Sequence, residues 1–234
     1  MRPSADWEKM VTAIPCTKQN TDQWVLDFLV TQGHEQAVIR FCEETGLSVP
    51  EAIQTLPLRN AVRQHILKGN VSQALDFLSE QKPEMLDTSP ALYFHVRQLE
   101  MIELLRTGDV EKALAFATEV LAPLGEENPD LLSELEQTMS LFIVLDLSTS
   151  DMSALPAYAK TLWDLQYRDV VASQVNASWL EMERQPSQPT LPLLVDMMTY
   201  GEQLLGPDGP GQQYVPTLSL DGSIPAIPDR HHDL

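Results

Sequence analysis

The phrase that most limits how this chain can fold is stated twice. ILKGNVSQALDFL runs from Ile66 to Leu78, and LLRTGDVEKALAFA runs from Leu104 to Ala117. Gly69 and Gly108 sit thirty-nine positions apart in these copies. Each follows an apolar-periodic segment, and glycine accepts the left-handed conformation past a helix end because it has no Cβ to clash. Asn70 and Asp109 come next, residue types whose side chains cap the free N–H groups of a new helix. Gln73 adds a capping-box-like spacing. Val71, Ala74, Leu75 and Leu78 then fall at i, i+3, i+4 and i+7, and Val110, Ala113, Leu114 and Ala117 repeat the pattern. Each copy therefore predicts a helix, a glycine corner and a second helix, with Ala74 and Ala113 small enough to admit a close neighbour. Two copies suggest stacked helical hairpins. The phrase carries packing and no chemistry.

The same signals extend along the chain. TDQWVLDFLVTQG from Thr21 predicts a helix that Gly33 ends, and HEQAVIRFCEETG predicts a second that Gly46 closes. A short segment over Val49–Leu56 stops at Pro57. Helices are predicted over Arg59–Lys68, Val71–Gln81, Ala91–Thr107 and Val110–Ala122, with Leu92, Val96, Leu99 and Ile102 on one face of the third. Pro123 and Pro129 are expected to break the chain before a helix bearing Leu132, Leu135, Met139, Phe142 and Ile143. Ser148–Ser153 reads as a polar loop, Ala154–Leu165 and Asp169–Glu183 as helices, and Leu193–Leu205 as the last. Period-two alternation never persists, so the fold class is all-α with about ten helices. Residues 1–19 form an arm, and the Pro- and Gly-rich stretch 206–234 reads as a tail that is disordered or lies along a partner.

Composition narrows the function classes. Fifteen Lys and Arg stand against 34 Asp and Glu in 234 residues, a net charge of −19 that phosphate backbones and anionic membranes repel. Asp6 and Glu8 lie where a signal peptide needs an apolar run, and Leu141–Leu145 is too short to span a bilayer. Cys16 and Cys42 are too few for a disulfide framework or a thiolate zinc site and read as intracellular thiols. Nucleic acid and membrane are therefore not expected partners. No cofactor is expected either: Gly206, Gly209 and Gly211 follow no strand, and His34, His65 and His95 lack metal-ligand spacing. The acids from Glu126 to Glu136 read as a solvated helix entry. No catalytic group is assigned.

Two apolar faces are candidates for interfaces. Trp24, Val25, Phe28 and Leu29, with Phe41 from the following segment, form a stripe that two short helices cannot bury alone. It either packs on the rest of the chain or meets another chain. Val171, Val175 and Trp179 form a second seam along the helix over Asp169–Glu183.

These residues also carry a resemblance. WVLDFLVTQGHEQAVIRFCEETG resembles the LisH motif through Phe28-Leu29, Gly33, Ala37, Phe41 and Glu44-Thr45. LRNAVRQHILKGNVSQALDFL through VEKALAFATEVLAP resembles the CTLH domain. GEENPDLLSELEQTMSLFIV and YRDVVASQVNASWLEM resemble parts of the adjoining CRA domain. The resemblance divides the chain into LisH over 20–52, CTLH over 53–115 and CRA over 116–205, and it implies that the C-terminal CRA helices fold back beside LisH. The family supplies subunits of the GID/CTLH ubiquitin ligase. Some members add a SPRY domain before LisH, for which nineteen residues are too few, and others add a RING-like module after CRA, which a tail without cysteine cannot build. The resemblance thus implies a non-catalytic scaffold, cytoplasmic and nuclear, that joins RING-type to SPRY-type LisH–CTLH–CRA subunits as a homo- or hetero-oligomer. The alternative is a LisH-bearing adaptor in a cytoskeletal or transcriptional assembly.

Overall fold

A computed structural model describes residues 16–146 and 156–205. The polar loop over Ser148–Ser153, most of the 1–19 arm and the 206–234 tail lie outside the described residues. Among those described every regular element is helical. Two helices, α1 (Lys18–Gln32) and α2 (Glu35–Thr45), form a first hairpin. A 3₁₀ turn, Glu51–Gln54, leads to α3 (Leu56–Leu67), α4 (Val71–Gln81), α5 (Pro83–Thr88) and α6 (Pro90–Arg106). Then come α7 (Val110–Phe116), α8 (Ala122–Glu127), α9 (Pro129–Asp146), α10 (Ala157–Trp163), α11 (Gln166–Met182) and α12 (Thr190–Leu205).

The corners follow one design. Gly33, Gly69 and Gly108 have φ of 83°, 79° and 85°. In each, the glycine N–H bonds the carbonyl three residues back and the next N–H reaches five back, as in His34 to Leu29, Asn70 to His65 and Asp109 to Leu104. These bonds satisfy the carbonyls a helix end leaves free, the Schellman arrangement. Side-chain capping is corrected: neither Asn70 nor Asp109 caps the helix it precedes. Asp109 accepts from Lys112 Nζ at 3.0 Å instead. Pro123 also departs from expectation, because it does not break the chain. A π-turn over Ala117–Leu121 carries α7 into α8, and Pro123 falls in the first turn of α8, where its missing N–H forfeits no bond of that helix.

Long α6 organises the packing. Leu92, Val96 and Leu99 face a core shared with Val62 and Ile66 of α3, Val71 to Leu78 of α4, Met85 of α5 and the buried side of α11. Phe94, Met101, Ile102 and Leu105 face a second core with Ala113, Ala117, Leu121, Leu131, Leu135, Leu141 and Ala159. The helix is buried on both sides, so Ile102 lies in a different core from the other three residues of its expected face. A polar seam runs beside these cores: Tyr167 Oη donates to Gln98 Oε1 at 2.5 Å, and Gln98 Nε2 to Thr138 Oγ1 at 2.6 Å. Such satisfied buried polar groups fix which faces meet, because any slip leaves them unpaired.

Two long-range returns close the structure. Helix α11 packs along α3, and α12 packs along α1. Leu26, Val38, Cys42 and Leu56 make a small third core under the first hairpin.

Candidate interaction surface

The apolar residues singled out by sequence separate into two environments. Val171, Val175 and Trp179 are 0%, 2% and 1% exposed. They fill the core beneath α3, α4 and α6, which removes them from any surface a partner can reach; their expected interface role is corrected. The indole N–H of Trp179 donates to Glu183 Oε1 at 3.0 Å, and Lys82 Nζ stands 5.6 Å from its ring centre. Burying a side chain of this kind stabilises by roughly 1.5–3 kcal/mol, so the seam holds the fold. Nothing local in the sequence reveals that α11 returns to α3.

The first hairpin differs. Trp24, Val25, Phe28, Leu29 and Phe41 are all partly exposed. Leu29 and Phe41 rest on the third core, whereas Trp24, Val25 and Phe28 stand outside it. The edge of the stripe near α2 is thus core, and the remainder is only partly buried.

Sequence reasoning missed the larger open face. Leu193, Met197 and Tyr200 on α12, at i, i+4 and i+7, are 60%, 61% and 62% exposed. Met198 beside them is also exposed, while Leu191, Leu194 and Val195 turn partly inward. Helix α12 is therefore apolar on two sides. The signal was present as an apolar run too broad for one face, TLPLLVDMMTY, in a helix that lies on a surface. The Thr190 N–H donates to Asp27 Oδ2 at 2.9 Å and fixes the start of α12 on α1. The open residues of α12 and the partly exposed ones of α1 thus lie on adjacent helices and form one candidate interaction surface.

The corner residues have structural surroundings. Ala74 and Ala113 are fully buried, one in each main core. The copies then diverge. Val71, Leu75 and Leu78 are buried, whereas Val110 and Leu114 are 43% and 49% exposed because no helix among the described residues covers α7 on that side. Gly69 lies under an ion pair in which Arg168 Nε and Nη2 reach Glu103 at 2.8 and 2.6 Å. Arg106 also donates to Glu103, so this carboxylate ties α6 to the start of α11.

Chemistry finds little purchase. Among the described residues no three His, Cys, Asp or Glu side chains are grouped to hold a metal ion, and no helix is long and apolar enough to cross a membrane. His95 Nε2 lies 3.0 Å from Glu134 Oε2, a surface pair between α6 and α9.

Sequence comparisons agree with this architecture. The model of the CTLH/CRA C-terminal to LisH motif domain matches residues 55–204. The protein "GID8 homolog" of Arabidopsis thaliana is 38% identical over 200 residues, covering 86% of this chain and 79% of its own. The "Glucose-induced degradation protein 8 homolog" of Dictyostelium discoideum is 32% identical over 202 residues, 86% of each chain. "GID complex subunit 8" of Schizosaccharomyces pombe is 32% identical over 209 residues, with 84% of this chain and 83% of its own covered.

Proposed function

Because the chain belongs to the family of the CTLH/CRA C-terminal to LisH motif domain, we propose that it is a non-catalytic scaffold subunit of a GID/CTLH-type ubiquitin ligase. In this reading it joins RING-bearing subunits to the substrate-receptor side and so supports ubiquitin-dependent proteasomal degradation. The observation that carries the reading is the apolar tract on the adjacent helices α1 and α12, where Leu193, Met197 and Tyr200 stand open beside partly exposed Trp24, Val25 and Phe28. A scaffold needs a rigid body with exposed association surface, and burying such surface supplies the driving force for assembly. The name of the Schizosaccharomyces pombe relative speaks of a complex subunit, in keeping with that requirement. The partners are other LisH–CTLH–CRA chains of RING and SPRY type, and the location is cytoplasm and nucleus.

Affinity purification from native extract tests the assembly, with mass spectrometry of what co-elutes and fractionation of cytoplasm from nucleus. RING-type and SPRY-type chains are expected together, and their loss is expected with Met197→Asp, which places a charge on the open face without entering a core. Recovery of cytoskeletal or transcriptional partners in their place would favour the adaptor alternative. Purified protein with E1 and E2 is expected to form no ubiquitin chains. Conjugation abolished by Cys42→Ser would overturn the non-catalytic assignment.

A further inference from the structure

An open groove of about 370 Å³ lies where α4, α5 and α6 meet. Leu75, Leu86 and Tyr93 contribute its apolar lining, and Asp76 on α4 and Asp87 on α5 are exposed at its edges. Neither carboxylate has a hydrogen-bond or ionic partner among the described residues. Residues 71–100 contain two permanent cations, Lys82 and Arg97, and the fold engages both. Lys82 pairs with Glu183 at 3.3 Å and covers Trp179. Arg97 pairs with Glu100 at 2.8 Å, donates to Tyr93 Oη at 3.0 Å and lies over the Tyr93 ring. The groove therefore keeps an uncompensated negative edge around an apolar floor.

We propose that this groove docks a linear segment of another subunit, one that seats a single aliphatic side chain on Leu75, Leu86 and Tyr93 and sets flanking Lys or Arg side chains on Asp76 and Asp87. Charge complementarity selects the basic flanks, since like charge at a binding edge is repelled and opposite charge steers the encounter. The size of the groove selects one anchoring side chain rather than a helix face. A contact so small binds weakly on its own, which is why the occupant belongs to a subunit already held elsewhere on the scaffold: tethering raises its effective concentration to the millimolar range. That choice of source rests on the scaffold reading; the binding chemistry of the groove does not.

Fluorescence anisotropy of the full chain tests the groove, using a labelled heptapeptide with one leucine between two lysines. Saturable binding that weakens with added salt is expected. Replacing the lysines by glutamates, or the leucine by glycine, is expected to weaken it about tenfold or more, as two exposed ion pairs or one buried aliphatic side chain would. The double variant Asp76→Asn with Asp87→Asn should lose the same factor while its melting temperature stays unchanged, because both residues are exposed. No saturable binding at low salt, equal affinity for lysine and glutamate peptides, or full affinity in the Asn variant would each overturn the proposal. These outcomes do not depend on whether the chain assembles with ligase subunits. In the assembled complex, cross-linking from a photoreactive residue placed at Ser79 should capture a basic segment of a neighbouring subunit; capture of a non-subunit protein alone would overturn the choice of source.

Discussion

Arg59 and Asn176 stand 117 positions apart, and Arg59 Nη1 donates to Asn176 Oδ1 at 2.6 Å. The same guanidinium donates to the carbonyls of Val30 and Thr31 at 2.9 and 3.2 Å, and Asn176 Nδ2 adds a bond to Thr31 at 2.9 Å. Two side chains from α3 and α11 thus satisfy the last-turn carbonyls of α1, where a helix leaves acceptors free and its dipole is negative. Arg59 is 3% exposed, and burial lowers its pKa from the usual arginine range while Glu183 opposes the shift. The pair orients the first hairpin on the rest of the fold.

Arg59→Met should therefore destabilise by about 2–4 kcal/mol, since it strands buried carbonyls and an amide rather than merely deleting one bond. Arg59→Lys should not rescue, because an ammonium on one stem cannot copy a planar fork that meets three acceptors. Urea unfolding measures the cost. Hydrogen exchange should show the added opening first in α1 and α2.

The two corner glycines should respond unequally. At Gly108 an added Cβ meets nothing within 4 Å, so Gly108→Ala costs about 1–2 kcal/mol from positive φ alone. At Gly69 the Cβ would lie 2.8 Å from Arg168 Nη2 and 2.9 Å from Glu103 Oε2. Gly69→Ala should thus cost more, by displacing the ion pair that ties α6 to α11. Paired thermal melts decide it. Equal losses would mean that the ion pair yields freely.

Placing a carboxylate on each apolar seam should separate fold from association. Val175→Asp buries a charge among α3 and α6 side chains, and the chain should fail to fold. Phe28→Asp alters a partly exposed position outside the third core and should retain helical circular dichroism while losing assembly mass by light scattering. An assembled Phe28→Asp protein would return that stripe to ordinary core.

Local signals were legible in this chain, and distant ones were not. The helix over Val71–Gln81 and the corners at Gly33, Gly69 and Gly108 follow from spacing and glycine chemistry within a few residues. The end of α11 at Met182 lies one residue from the expected Glu183, although Arg184, not glycine, takes the left-handed turn there, with φ of 56°. Short α5, between Pro83 and Pro90, has no place in the periodicity reading, although each proline begins a helix. The interface residues failed where burial depends on a partner helix far along the chain. Val175 and Met197 are both apolar residues on long helices, yet α3 covers the first and nothing described covers the second.

The buried seam at Tyr167 should make the fold sensitive to base. Burial pushes this phenol well above the usual tyrosine range, and Glu134 adds to the shift. The folded chain then holds the proton more tightly than the unfolded chain, whose tyrosine titrates near pH 10. Stability from this group is complete below that pH and falls as pH rises above it toward the folded pKa. Tyr167→Phe removes the titration and also the bond to Gln98 Oε1, so the variant should start about 1 kcal/mol weaker at neutral pH. Between pH 10 and 11.5 its stability should decline less steeply than that of the parent chain, and the two curves should converge. Urea midpoints measured across that interval test the slope. Parallel curves would show that Tyr167 ionises as readily inside the fold as outside it, and that the alkaline loss comes from other groups.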